Sequence, residues 1–131
     1  MKIISASEDI RDTYAQDIPE LVWATGQVSY EYHFADRALF DAIVLASWYR
    51  DGSLFAADAT SIAVEESELI GIEIGMPGPE YRTRQHALGP VWQTLLAAKK
   101  LDQDDLAAVL ARSEHASWLN PVVHDDTYYI H

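Results

Sequence analysis

Two predicted strands carry the side chains of this sequence that are best suited to acid–base chemistry. Glu73 alternates onto one strand face with Gly71 and Gly75, whose missing side chains leave room for a ligand, so it is a candidate general base. The alternative is a solvated carboxylate, the usual state of a glutamate on a strand face. His131 shares a face of the last predicted strand with Tyr129 and is the second catalytic candidate. Its alternative is a frayed residue at the end of the chain.

The histidines do not stand in a metal-binding pattern. The chain has five of them: His33, His86, His115, His124 and His131. No His-x-x-x-His or His-Glu-x-x-His spacing occurs, and His124 and His131 form a ligand set with nearby aspartates only if a turn brings them together. Cysteine, Gly-x-Ser-x-Gly and Gly-x-x-x-x-Gly-Lys are also absent, which argues against thiolate chemistry, a serine hydrolase and a nucleotide-binding loop. We therefore expect no metal.

An aromatic cluster lies in the stretch 27–35, which has no clean helical or strand period. We predict a loop or an irregular helical turn there. The residues of interest are Tyr30, Tyr32, His33 and Phe34. They either line a binding site or pack their ring bodies against the core and leave their polar tips in water.

The charge balance restricts the class of partner. The 131 residues include 9 basic and 21 acidic side chains, a net charge of -12, which argues against nucleic acid and against an anionic membrane surface. An acidic field favours a cationic or amine ligand, although charge of this sign more often serves only solubility. The length and the 49% hydrophobic content predict one globular domain over residues 1–131. With no cysteine, no signal peptide and no apolar run near the roughly 20 residues of a membrane span, we expect a soluble cytoplasmic protein.

Hydrophobic periodicity predicts an α+β fold with a mostly antiparallel sheet. The predicted strands are 2–6, 61–65, 69–75 and 126–131, and the predicted helices are 8–25, 37–51, 90–100 and 103–115. Ser7 is the expected cap of the first helix, and Pro19 is expected to restart that helix from its first turn. Asp102 and Asp105 predict a capping arrangement for the last helix.

The two central strands form a predicted hairpin around the polar link Glu66-Ser67-Glu68. On the buried face we place Ile62, Val64, Ile70, Ile72 and Ile74, and on the other face Leu69, Gly71, Glu73 and Gly75. The last strand of the chain is expected beside the second strand of this hairpin. Helical segments on both sides supply the cover that the apolar face needs.

This order of elements resembles the N-terminal half of a domain of the GNAT superfamily of N-acetyltransferases. The matching pieces are the strand Lys2-Ile3-Ile4, a helix pair over 7–51, the hairpin Ile62-Ala63-Val64-Glu65 facing Leu69-Ile70-Gly71-Ile72-Glu73-Ile74-Gly75, and Tyr128-Tyr129-Ile130-His131, which is similar to the family's central fourth strand. The resemblance implies acyl transfer from acetyl-CoA to a small amine substrate, with Glu73 as a candidate base. It also implies substrate-binding roles for Tyr30, Tyr32, His33, Phe34 and Tyr129.

The cofactor motif of that family has no counterpart in this sequence. In the family the fourth strand leads into Arg/Gln-x-x-Gly-x-Gly/Ala, whose amides hold the pyrophosphate of acetyl-CoA at a helix N-terminus. The six glycines of this chain include no Gly-x-Gly pair, and none follows His131. We therefore expect a truncated acetyltransferase domain, inactive alone and binding acetyl-CoA weakly or not at all, that self-associates as a dimer through its C-terminal strand. The alternative is a non-enzymatic α+β binding or assembly module that acts through this edge strand.

Overall fold

The computed structural model describes residues 1–6 and 8–131, so the predicted cap at Ser7 lies outside the described residues. Within them the chain has four β-strands and seven α-helices. The strands are β1 (Lys2–Ser5), β2 (Thr60–Glu65), β3 (Glu68–Pro77) and β4 (Tyr128–Ile130). The helices are α1 (Glu8–Tyr14), α2 (Ile18–Ala24), α3 (Gln27–Phe34), α4 (Arg37–Trp48), α5 (Gly78–His86), α6 (Leu88–Ala97) and α7 (Gln103–His115). The predicted α+β class is confirmed.

The strands form one antiparallel sheet in the order β1-β2-β3-β4. Glu66 and Ser67 join β2 to β3 with φ values of 49° and 70°, and a two-residue turn with two positive φ angles matches the right-handed twist of the strands. β4 lies beside the second half of β3, where Gly75 pairs with Ile130. The prediction of a mostly antiparallel sheet with the last strand beside the hairpin is confirmed.

A β-bulge changes which residues of the hairpin face the core. The register shifts so that Ala63 pairs with Gly71 while Val64 pairs with Leu69. Ile70 is the extra residue and is 46% exposed, whereas Leu69 packs against the main core. The prediction that Ile70 faces inward and Leu69 outward was therefore wrong, because one inserted residue reverses the alternation of side chains.

The first predicted helix is divided in two. In place of one helix over 8–25, the chain forms α1, a 3-10 turn at Ala15–Asp17 and then α2. Pro19 lies in the first turn of α2, as predicted, where its missing N–H leaves no helical hydrogen bond unmade. The cap of α7 is also as predicted, since the side chains of Asp102 and Asp105 each accept a hydrogen bond from the other's amide.

α3 and α5 are regular helices that the predicted helix set lacks. Ala35 ends α3 with a left-handed φ of 55°, and Asp36 then begins α4 by accepting a hydrogen bond from the amide of Ala38. The loop or irregular turn predicted over 27–35 was therefore wrong. Its aromatic residues serve two sides of one helix, which hides the helical period.

α4 lies between two hydrophobic clusters. The main cluster joins one face of the sheet to α2 and α4 and includes Ile18, Val22, Phe40, Val44, Trp48, Ile62, Ile74 and Met76. The second cluster joins another side of α4 to α6 and α7 and includes Leu39, Ile43, Leu95, Leu101, Leu106 and Val109. The opposite sheet face, by contrast, bears the exposed side chains of Ile3, Tyr128 and Ile130. In the part of the chain that the structure describes, no helix has the length and apolar character to cross a membrane.

Candidate functional site

Glu73 lies exposed on the sheet face away from the main core. The room predicted beside it at Gly75 is filled, because a Cβ at that position would come within 2.5 Å of the Tyr128 hydroxyl. At Gly71 a Cβ would make an ordinary 3.7 Å contact with the Cβ of Ala63. The two glycines therefore form no recess around this carboxylate.

His131 and Tyr129 point to the other face of the sheet, the one that carries the main core. There they form an aromatic cluster with the rings of Phe55 and Tyr81. The amide of His131 donates to the carbonyl of Ile74 at 2.9 Å, which extends the pairing of β4 by one residue. The Tyr129 hydroxyl lies 3.2 Å from Nδ1 of His131, and the Tyr129 ring meets that of Tyr81 at a centroid distance of 4.5 Å. The structure therefore does not bring the two catalytic candidates, Glu73 and His131, together.

Burial changes the acidity of this cluster. Burial and, after it, the neighbouring Tyr81 raise the pKa of Tyr129 to about 12. Burial also lowers the pKa of His131 below its ordinary value of 6.5. The residue as a whole is exposed, but its imidazole ring packs 5.5 Å from the ring of Phe55. At neutral pH, Tyr129 is therefore a protonated hydrogen-bond donor and His131 an uncharged base.

α3 divides the predicted substrate-binding residues between the core and a cleft. Tyr30 and Phe34, one turn apart, point inward onto the ring of Phe40 at centroid distances of 4.8 and 5.4 Å. Burial raises the pKa of Tyr30 above its ordinary value. Tyr32 and His33 lie on another side of α3 and line the cleft.

This cleft, which we call the Tyr32–Trp118 cleft, lies between the α2–α3 corner and the segment that follows α7. Its volume is about 780 Å³. The lining residues are Ala24, Thr25, Gly26, Gln27, Val28, Ser29, Tyr32, His33, His115, Ala116, Trp118 and Leu119. Most of this surface is apolar, and a few hydroxyl and imidazole groups interrupt it.

Polar contacts hold the two walls of the cleft in place. Arg112 on α7 donates from Nε to the carbonyl of His33 at 2.8 Å, which satisfies an unpaired carbonyl at the end of α3. Across the cleft the Tyr32 ring lies 6.5 Å from the ring of His115.

On α3, Ser29 Oγ lies 3.3 Å from Nδ1 of His33. The lining contains no carboxylate to orient this serine–histidine pair, which therefore lacks the third member of a nucleophilic triad.

The sequence did not predict that the segment after α7 forms the second wall of the cleft. Trp118 and Leu119 stand beyond the last turn of α7, where a helix end was the only prediction. The available signal was a large apolar pair outside any helical period. Over residues 1–6 and 8–131, no group of three or more histidine, aspartate or glutamate side chains could hold a metal ion.

No protein-family model, no curated protein and no solved structure matches this chain. Function must therefore be inferred from the residues and their geometry.

Proposed function

We propose that this chain is the acceptor-substrate side of a GNAT-like N-acetyltransferase domain, the part that binds a primary amine and prepares it to receive an acetyl group. One observation carries the proposal: β4 lies antiparallel beside the second half of β3, and α1 to α4 intervene between β1 and β2. This is the order of strand, helices, hairpin and late strand by which the sequence resembles that superfamily.

The aromatic cluster offers the base that such a reaction needs. An ammonium must lose a proton before its nitrogen can attack a thioester. His131 is uncharged at neutral pH, and its Nδ1 lies 3.2 Å from the Tyr129 hydroxyl, within hydrogen-bond distance. Glu73 remains the candidate for a substrate that binds on the open sheet face.

The start of α5 does not offer the free amides that acetyl-CoA needs. Its pyrophosphate requires free backbone amides at a helix N-terminus or a group of basic side chains. Gly78 opens α5, but its amide already donates to the carbonyl of Thr127 at 2.7 Å. We therefore propose no step that involves the cofactor, and we expect calorimetry to detect no micromolar affinity of this 131-residue chain for acetyl-CoA.

The reading frame beyond codon 131 gives the direct test. We expect Arg/Gln-x-x-Gly-x-Gly/Ala to follow His131, and we expect the extended protein to release CoA from acetyl-CoA when a primary amine is supplied. A thiol reagent can measure this release, since residues 1–131 contain no cysteine and add no background. A frame that lacks the motif, or an extended protein that releases no CoA, contradicts the proposal.

Assembly through the sheet edge is a second candidate function, favoured by the exposure of β4. Only β3 pairs with β4 among the described residues, and its side chains Tyr128 and Ile130 are each 61% exposed. An unpaired edge with apolar side chains is a template for strand addition by a second copy of the chain.

Light scattering at high micromolar concentration tests this assembly. We expect a dimer for the native chain and a monomer for Ile130→Lys, because a charge on an edge strand opposes pairing. Val28→Lys, at an 85% exposed position on α3, is the matched control and should remain a dimer. A native chain that stays monomeric rules out this function.

A further inference from the structure

We infer that the Tyr32–Trp118 cleft binds a primary amine whose body is an aromatic ring. The choice of an amine rests on the proposed function, whereas the position of the site rests on the geometry of α3 and the segment after α7. The neighbouring cavity, which Phe34 lines together with Asp36 and Arg112, is smaller at about 480 Å³ and has one aromatic residue in its walls.

The size and the walls of the cleft suit a small molecule. Its volume of about 780 Å³ lies within the range of about 300–1,000 Å³ that ligand sites occupy. Around it, Val28, Trp118 and Leu119 stay 85%, 80% and 60% exposed. Apolar side chains grouped around one concavity gain free energy when a ring displaces water from them. Tyr32 and Trp118 also offer ring faces for stacking.

The charge of the whole chain favours an ammonium over an acid. The lining itself has no lysine, arginine, aspartate or glutamate, so neither a carboxylate nor an ammonium finds an ion-pair partner among these side chains. Arg112 stands behind His33, where its Nε is committed to a carbonyl, and it lines a separate cleft together with Asp36 and Asp105. An ammonium is attracted by ring faces and by the field of a chain with net charge -12.

The main hydrophobic cluster lies between the cleft and the proposed base. Gly26 at the cleft lies against the ring of Tyr30, since a Cβ on this glycine would be 3.5 Å from that ring. Tyr30 and Tyr81 both pack in the main cluster. Tyr81 also packs against Tyr129, the partner of His131.

Titration of the ¹⁵N-labelled chain with 2-phenylethylamine tests the inference. We expect the indole N–H signal of Trp118 to shift, while the signal of Trp48, which is 1% exposed, stays in place. Two matched probes separate the parts of the ligand: 3-phenylpropionate carries the ring with the opposite charge, and ethylamine carries the ammonium without the ring. Both should bind more weakly than 2-phenylethylamine.

Variants locate the binding. Trp118→Ala and Tyr32→Ala each remove one exposed ring and should weaken affinity by about 2- to 30-fold, the range expected for one cation–π contact. Leu110→Ala changes a 52% exposed residue of α7 outside the lining and should leave affinity unchanged.

Several outcomes overturn the inference: no shift at millimolar amine, equal or tighter binding of 3-phenylpropionate, or an affinity that neither ring variant alters. Because this titration uses no acetyl-CoA, its failure is distinct from failure of the acetyltransferase proposal. Amine binding in the cleft together with a reading frame that lacks the glycine motif would keep the binding site and remove the acetyl transfer.

Discussion

Among the single residues, His131 has the surroundings that matter most for chemistry. The rings of Phe55 and Tyr81 lie 5.5 and 6.4 Å from its imidazole, and burial lowers the pKa of His131 while it raises the pKa of Tyr129 to about 12. An imidazole and a phenol held together by packing keep their geometry without a bound substrate. Glu73 has no comparable setting, since it stands on an exposed strand face.

Protonation of His131 is expected to destabilise the protein. Its pKa in the folded chain lies below the unfolded value of 6.5, so the unfolded chain binds the proton more tightly. The contribution to the free energy of unfolding is complete above pH 6.5 and is lost as the pH falls through the lower folded pKa. Urea midpoints measured from about pH 8 to about pH 5 should therefore fall less in His131→Gln than in the native chain.

An exposed residue without a titratable group provides the control. Leu110→Gln, at a 52% exposed position on α7, should retain the pH dependence of the native chain. An unchanged pH dependence in His131→Gln contradicts the prediction.

Among the elements, β4 owes its position to a backbone contact at the start of α5. The amide of Gly78 donates to Thr127, and a Cβ on this glycine would overlap the carbonyl oxygen of His124. The Thr127 hydroxyl donates to the same His124 carbonyl at 2.7 Å, which closes the turn before the strand. A three-residue strand has few hydrogen bonds of its own, so this turn decides where β4 docks.

Gly78→Ala is expected to loosen β4. The added methyl meets backbone and not a movable side chain, so we expect a loss of about 1–3 kcal/mol in the free energy of unfolding and faster amide exchange at Tyr129 and His131. Gly89→Ala is the matched control: nothing lies within 4 Å of its Cβ position in α6, and we expect it to gain about 0.4–1 kcal/mol. Urea denaturation measures both, and a neutral Gly78→Ala would falsify this account of the docking.

In the whole molecule, α4 packs against the sheet on one side and against α6 and α7 on another. Val44 faces the main cluster, and its neighbour Ile43 faces the cluster with α6 and α7. Both side chains are at most 1% exposed. Because side chains rotate by about 100° per residue along a helix, two adjacent core residues serve different layers.

Ile43→Ala is expected to loosen α6 and α7 more than the sheet. A cavity at a buried isoleucine costs about 2–5 kcal/mol, and native-state amide exchange should rise mainly in α7. Val44→Ala should instead raise exchange in β2 and β3. If both variants affect the same elements, the two clusters do not act as separate layers.

The sequence by itself determined those local elements of this protein whose causes lie within a few residues. Alternating Ile62 and Val64 predicted β2, and Asp102 with Asp105 predicted the start of α7. Pro19 likewise marked the first turn of α2. The α+β class followed from the order of these elements.

Only the tertiary structure decided the bulge that turns Ile70 outward, the helical state of α3 and the cleft that α3 shares with Trp118. Each depends on contacts between residues far apart in the chain, such as Arg112 with the end of α3. Local sequence patterns do not report such contacts, because packing depends on two surfaces that meet only in the folded chain. The same packing separated Glu73 from His131, placing them on opposite faces of one sheet.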